Sequence, residues 1–178
     1  MAFLTDEQIN DRKIVQVAFI VDDLEKAAMH WVETHGAGPF FVLDRVPVSD
    51  VRDGNGAPAV LEQGIAVGQW GPLMVELVRM DRVEPQPVAD IMTAPGFSHI
   101  AYFTADPDAE AERLEKSGAP VLLSLEFGSA RVRFHDGRKT SGFIIEQYPY
   151  IDAVEDVYRK VAEAAEGWDG SNPVRPLM

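Results

Sequence analysis

Four polar residues stand where apolar ones would be expected. Gln16, Glu76, His99 and Glu146 each interrupt an apolar, β-branched run, and each of the four runs reads as a strand. Side chains alternate along a strand. Gln16 therefore shares a face with Ala18 and Ile20, Glu76 with Met74 and Val78, His99 with Phe97, Ala101 and Phe103, and Glu146 with Ile144 and Tyr148. Taken singly, a strand glutamine or histidine is an ordinary hydrogen-bonded residue, and a strand glutamate faces water. Taken together, two carboxylates among apolar neighbours, with no lysine or arginine on the same faces, need a cation. A divalent metal meets that need, with oxygen from Gln16, Glu76 and Glu146 and nitrogen from His99.

The four residues are joined by an internal repeat. Gln16 and His99 lie 83 positions apart (99 − 16), and Asp23 and Asp106 keep that offset. Residues 14–21 read as a strand. Asp22 and Asp23 offer helix N-cap chemistry, and Leu24, Ala27, Ala28, Trp31 and Val32 recur at helical spacing until Gly36 and Gly38. Strands over 40–46, 60–67 and 73–80 follow, the first two separated by the polar stretch 49–58, rich in turn residues. A proline-rich connector occupies 83–95. The order then recurs: a strand at 97–104, a helix at 107–116 closed by Gly118, and strands at 120–127, 130–135 and 142–148. Each module is β-α-β-β-β, and one helix per module covers one sheet face only. The two modules, 13–82 and 96–148, are thus expected to form one α+β domain over 13–148. A helix over 152–166 and an irregular tail make up 149–178.

The chain has 178 residues, no cysteine and a net charge of −13. Disulfides, thiolate ligands and cysteine nucleophiles are excluded. The negative charge argues against nucleic acid or an anionic membrane as partner. No apolar run approaches the roughly 20 residues of a membrane span, so a cytoplasmic protein is expected.

The stretches "VQVAFIVDDLEKAAMHWVETHGAGPFFV", "FSHIAYFTAD" and "GFIIEQYP" resemble the opening strand and helix, the second-module start and the closing strand of the vicinal oxygen chelate superfamily. This superfamily includes glyoxalase I, methylmalonyl-CoA epimerase, extradiol dioxygenases and bleomycin-resistance proteins. The resemblance spans 13–148, and "GAGPFF" is similar to the epimerase-like branch. It implies an eight-stranded, open, cup-like barrel with a C-terminal helix added. It also implies one divalent ion (Zn, Ni, Co or Mn) held by Gln16, Glu76, His99 and Glu146, a set like that of one glyoxalase I branch. The epimerases are similar, usually with histidine at the first position. The implied reaction is an isomerisation, epimerisation or lyase step by proton transfer through a metal-stabilised enediolate, with Glu146 as base and Glu76 opposite. Dioxygenases use two histidines and one carboxylate, and only one of the four histidines stands at the expected positions here.

The expected cup lining is Ala18, Met74, Val78, Phe97, Ala101, Phe103, Ile144 and Tyr148, with Ile20. This suits an apolar body around a small chelating group, and the resemblance implies a substrate with vicinal oxygens. His30 and His35 read as surface or capping residues, and His135 as a neighbour of the pocket mouth without a role. Arg131, Arg133, Arg138 and Lys139 form a basic cluster, either a solvated edge or an anchor for a carboxylate or CoA phosphate. The stripe Val154, Val157, Tyr158 and Val161 suggests helix packing in a homodimer. The alternative function is metal-free sequestration of a small molecule, as in bleomycin-resistance proteins.

Overall fold

The computed structural model describes residues 12–177. The first module runs β1 (Ile14–Ile20), α1 (Leu24–His35), β2 (Phe40–Leu43), β3 (Ser49–Asp53), β4 (Val60–Trp70) and β5 (Leu73–Glu84). A short helix α2 (Gln86–Met92) leads to the second: β6 (Gly96–Thr104), α3 (Pro107–Lys116), β7 (Val121–Phe127), β8 (Ala130–Asp136) and β9 (Ile144–Pro149). Helix α4 (Asp152–Ala165) and β10 (Val174–Pro176) complete the chain. The strands form one sheet in the order β10-β2-β4-β5-β1-β6-β9-β8-β7-β3.

The repeat is visible in this order. In each module the first strand runs parallel to the last, β1 with β5 and β6 with β9, and the modules meet where β1 and β6 pair antiparallel. Both module helices start on an aspartate cap. Asp23 Oδ1 accepts from Lys26 N at 3.0 Å, and Asp106 Oδ1 from Ala109 N at 3.0 Å. Gly36 ends α1 with φ 65°, a left-handed conformation that glycine adopts without a Cβ clash. One sheet face is covered by the two helices. Leu24 and Ala28 of α1 pack on Phe40, Ala66, Val75 and Leu77, and Leu114 of α3 packs on Ile100, Tyr102 and Ile145.

Among the described residues the strands number ten rather than eight. Residues 49–53, expected to be loop, form β3 and pair with β7 of the other module. The turn is narrower than its polar composition suggests: Asp53 Oδ1 accepts from Asn55 N and Ala57 N, and Gly56 takes φ 79°. Val51, beside it, packs against the core. The connector holds α2, with Pro85 as its cap and proline in its first turn, where no amide hydrogen is needed. The tail contributes β10, parallel to β2.

Helix α4 packs on the other face of the sheet. Val161, fully buried, and Val157 meet Phe41, Val67, Met74 and Leu177, and Val154 joins the larger cluster around Leu123 and Phe134. The apolar stripe expected to serve a dimer is thus covered by its own chain. Among the described residues, no helix is long and apolar enough to cross a membrane.

Candidate functional site

The β1–β6 seam brings the four polar residues together. Ala18 is the register partner of both Glu76 and His99, and Ala101 of both Gln16 and Glu146. Two fully buried alanines therefore separate the four larger side chains and leave room above the sheet. Glu76, His99 and Glu146 converge from β5, β6 and β9, with one oxygen or nitrogen of each within 4.8 Å of the others. His99 Nε2 lies 3.1 Å from Glu146 Oε2 and 3.4 Å from Glu76 Oε2.

All three are nearly or wholly buried, as is Gln16. His99 Nε2 and Glu146 Oε2 nonetheless make no hydrogen bond, because their close approach is not aligned for one. Burial disfavours the His99 imidazolium, but the charges of Glu146 and Glu76 outweigh it and hold the imidazole pKa up to about 9. Burial, joined by the charge of Glu146, raises the Glu76 carboxyl above its ordinary value, against the pull of His99 and Gln16.

These observations bear on whether the residues fit a metal ion. Ligands about 2.0–2.2 Å from a common small cation lie roughly 3.0–3.5 Å from one another. The two measured separations fall in that range, and two of the converging atoms lack partners. One nitrogen and two buried carboxylates, with His99 Nε2 and Glu146 Oε2 lacking hydrogen-bond partners, match the donor set of a borderline divalent ion. The residues fit.

Gln16 is placed at the site but turned from its expected pose. Its Nε2 donates to Glu76 Oε2 at 2.8 Å, and its Oε1 accepts from the Tyr158 hydroxyl at 2.6 Å. The amide oxygen thus faces α4 instead of the cluster. Tyr158 is the functional group that sequence reading missed: its helical spacing marked it as packing, and nothing local indicates that its hydroxyl reaches Gln16. Ser98 was missed too. Its Oγ lies 3.1 Å from His99 Nδ1 and fixes the ring that Phe134 meets edge-on, centroids 5.4 Å apart.

A cavity of about 90 Å³ adjoins the cluster, lined by Gln16, Glu76 and Glu146 and by side chains that include Met74, Phe134, Tyr148 and Tyr158. Of the expected lining, Met74 and Tyr148 reach it. Ala18, Val78, Ala101 and Ile144 are buried beneath or beside it, and Phe103 backs the tyrosines, its ring 5.6 Å from that of Tyr148 and 5.1 Å from that of Tyr158. Phe97 is on the opposite face. Ala18 pairs with His99 and Phe19 with Phe97, so Ser98 is an extra residue that breaks the alternation. Phe97 instead meets Phe19 and Phe143 and is half-exposed.

The basic cluster points away from the cavity. Arg131 is paired with Asp50 and Glu126, Arg133 with Asp108, and Arg138 with Asp136. His135 does not border a mouth. It is fully buried, with Nδ1 3.2 Å from Ala119 O, and burial lowers its pKa. His30 and His35 pack with one another, and His35 also meets Trp31 and Trp70 on the outer surface.

The family model described as "Glyoxalase/Bleomycin resistance protein/Dioxygenase superfamily" matches residues 15–137. The chain belongs to this superfamily. The superfamily fold is also that of methylmalonyl-CoA epimerase from Mycobacterium tuberculosis, a structure 16% identical, with a TM-score of 0.52, covering 80% of this chain and 91% of that one. A hypothetical protein from Bacillus halodurans C-125 has the same fold, at 16% identity and a TM-score of 0.55 over 79% of this chain and 96% of that one. No curated protein sequence matches. The superfamily match ends at Gly137, so β9 with Glu146, and α4 with Tyr158, lie beyond it.

Proposed function

We propose that the chain is a metal-dependent isomerase, epimerase or lyase that moves a proton at a carbon beside a carbonyl. The observation that carries this reading is the buried, partly unpaired convergence of Glu76, His99 and Glu146. These three residues would hold one divalent ion: Zn, Ni, Co or Mn. Gln16 would join them by a half-turn of its amide. That turn brings the oxygen toward the cluster and the NH₂ toward the Tyr158 hydroxyl oxygen, with little change of shape. When bound, the ion supplies Lewis-acid stabilisation of charge developing on two adjacent substrate oxygens.

The chain's own residues do the rest. Glu146 accepts the proton and returns it, its carboxylate becoming an effective base when it turns from the ligand position as substrate arrives, and Glu76 is the second candidate from the opposite module. Met74, Tyr148 and the apolar wall exclude water, which strengthens each electrostatic contact inside. The substrate is a small, largely apolar molecule with vicinal oxygens.

The test is solvent exchange. Metal-loaded protein is incubated in D₂O with 2-oxoaldehyde hemithioacetals, 2-methyl-branched acyl-CoA esters and apolar α-hydroxyketones, and deuterium beside the carbonyl is read by mass spectrometry. Metal-dependent exchange that falls by about 10²–10⁴-fold in Glu146→Gln is expected. Tight binding of apolar ligands without any exchange favours the sequestration reading, which the apolar lining also suits. A homodimer is proposed as well, through the exposed Trp70 and Phe97 rather than α4. Light scattering at micromolar concentration should then read twice the 19.6 kDa chain mass.

A further inference from the structure

The segment after β9 belongs to neither module, yet it closes the site. Val154, Val157 and Tyr158 of α4 and Leu177 of the tail form one wall of the cavity. The wall is strapped in place. Leu177 N donates to Val42 O at 2.9 Å, and Lys160 Nζ of α4 donates to Leu177 O. The concave side of β2, β4 and β5 is therefore filled by the chain itself.

What remains is small and carries no positive charge. The chamber of about 90 Å³ compares with roughly 300–1,000 Å³ for common ligand pockets. An apolar cavity of about 150 Å³ holds benzene. Among the described residues, no lysine or arginine lines it, while Glu76 and Glu146 do. The nearest strand arginines, Arg131 and Arg133, alternate with the lining residues Val132 and Phe134 and so project from the other face into their own ion pairs. A ligand bearing phosphates or several carboxylates would bury them beside two glutamates without a countercharge.

We propose that α4 and its strap are the specificity element of this site. They admit a compact, uncharged molecule with two adjacent oxygens and reject ligands that carry a nucleotide or peptide arm. Tyr158 is the positioning residue that anchors the Gln16 amide by a hydrogen bond. The inference rests on the metal-dependent reading above, and the experiment separates the two.

The Co²⁺-loaded full chain is titrated by calorimetry with isobutyrohydroxamic acid, hexanohydroxamic acid, and hydroxamates of the same head group joined to glutathione and to CoA. Metal content is measured in parallel by elemental analysis. The short hydroxamate should bind at least about 100-fold more tightly than either conjugate. Val157→Ala, which enlarges the α4 wall without touching the cluster, should shift the hexano-to-isobutyro preference about tenfold toward the longer chain. Tyr158→Phe should move the visible bands of the bound Co²⁺ at unchanged metal content. A conjugate that binds as tightly as the short hydroxamate, or an unchanged chain-length preference in Val157→Ala, overturns the inference while the metal reading stands. Protein that takes up no metal overturns both.

Discussion

The Tyr158 hydroxyl donates to Gln16 Oε1 at 2.6 Å, joining the last helix to the first strand across 142 positions of sequence. The same glutamine amide donates to Glu76 at 2.8 Å. A helix outside both modules is thereby two hydrogen bonds, through Gln16, from the acidic cluster.

Removing that hydroxyl leaves a buried amide oxygen without its donor. Tyr158→Phe should lower the unfolding free energy by about 1–3 kcal/mol, measured by urea denaturation. The double variant Tyr158→Phe with Gln16→Leu should lose less than the sum of the single variants, because both polar partners are then gone.

Metal uptake should depend steeply on pH. In the metal-free protein the His99 pKa is raised from 6.5 to about 9 by the two carboxylates, against burial. A metal ligand must be neutral imidazole, so uptake near pH 7 displaces a proton. Affinity should rise about tenfold per pH unit up to about pH 9, with close to one proton released, read by calorimetry in buffers of different ionisation enthalpy. Stability of the metal-free protein should move the other way. The raised pKa contributes stability that is full below 6.5 and lost as pH climbs through about 9, so the melting temperature should fall over that window.

His99→Ala and Ser98→Ala should separate ligand from support. Loss of a partner that orients a metal ligand costs roughly 10–100-fold in affinity. Ser98→Ala should fall in that range, since Ser98 Oγ meets Nδ1, the ring nitrogen turned from the cluster. His99→Ala should exceed it. Equal losses in chelator competition would mean that His99 is not a ligand.

A control lies on the outer face. The Glu110 carboxylate is almost fully buried, accepts from the Tyr102 hydroxyl at 2.5 Å and from Arg113 at 2.6 and 2.8 Å, and also meets Arg12. Glu110→Gln should cost about 1–3 kcal/mol of stability and leave metal uptake unchanged.

The repeat made much of this structure legible in advance. The matching offset located Gln16, His99 and both aspartate caps, and the apolar runs located Glu76, Glu146 and the chain order of elements in each module, because periodicity and capping are local properties. Three features depend on distant partners and left no such trace. Val51 looks like part of a polar loop until β7 pairs beside it. Phe97 alternates correctly with His99 until Ser98 bulges out of register with β1. Tyr158 reads as one more apolar face position, and only the path of α4 over the cup gives its hydroxyl a use. The orientation of Gln16 escaped for the same reason, since its oxygen faces a residue from the far end of the chain.

The two outermost strands, β3 and β10, also decide how this protein avoids edge-to-edge aggregation. A ten-stranded sheet has two rims of unpaired backbone groups, each a template for another chain. One rim is a strand of three residues that includes Arg175 and Pro176, where proline offers no amide hydrogen. The other is a strand of five residues bearing Asp50, Arg52 and Asp53, with Asp50 at φ 42° and its pairing to β7 out of register. Both rims are short, charged or interrupted. The long apolar strands β4, β5 and β6 lie in the middle, so the segments most able to seed fibrils are shielded by those least able to extend them.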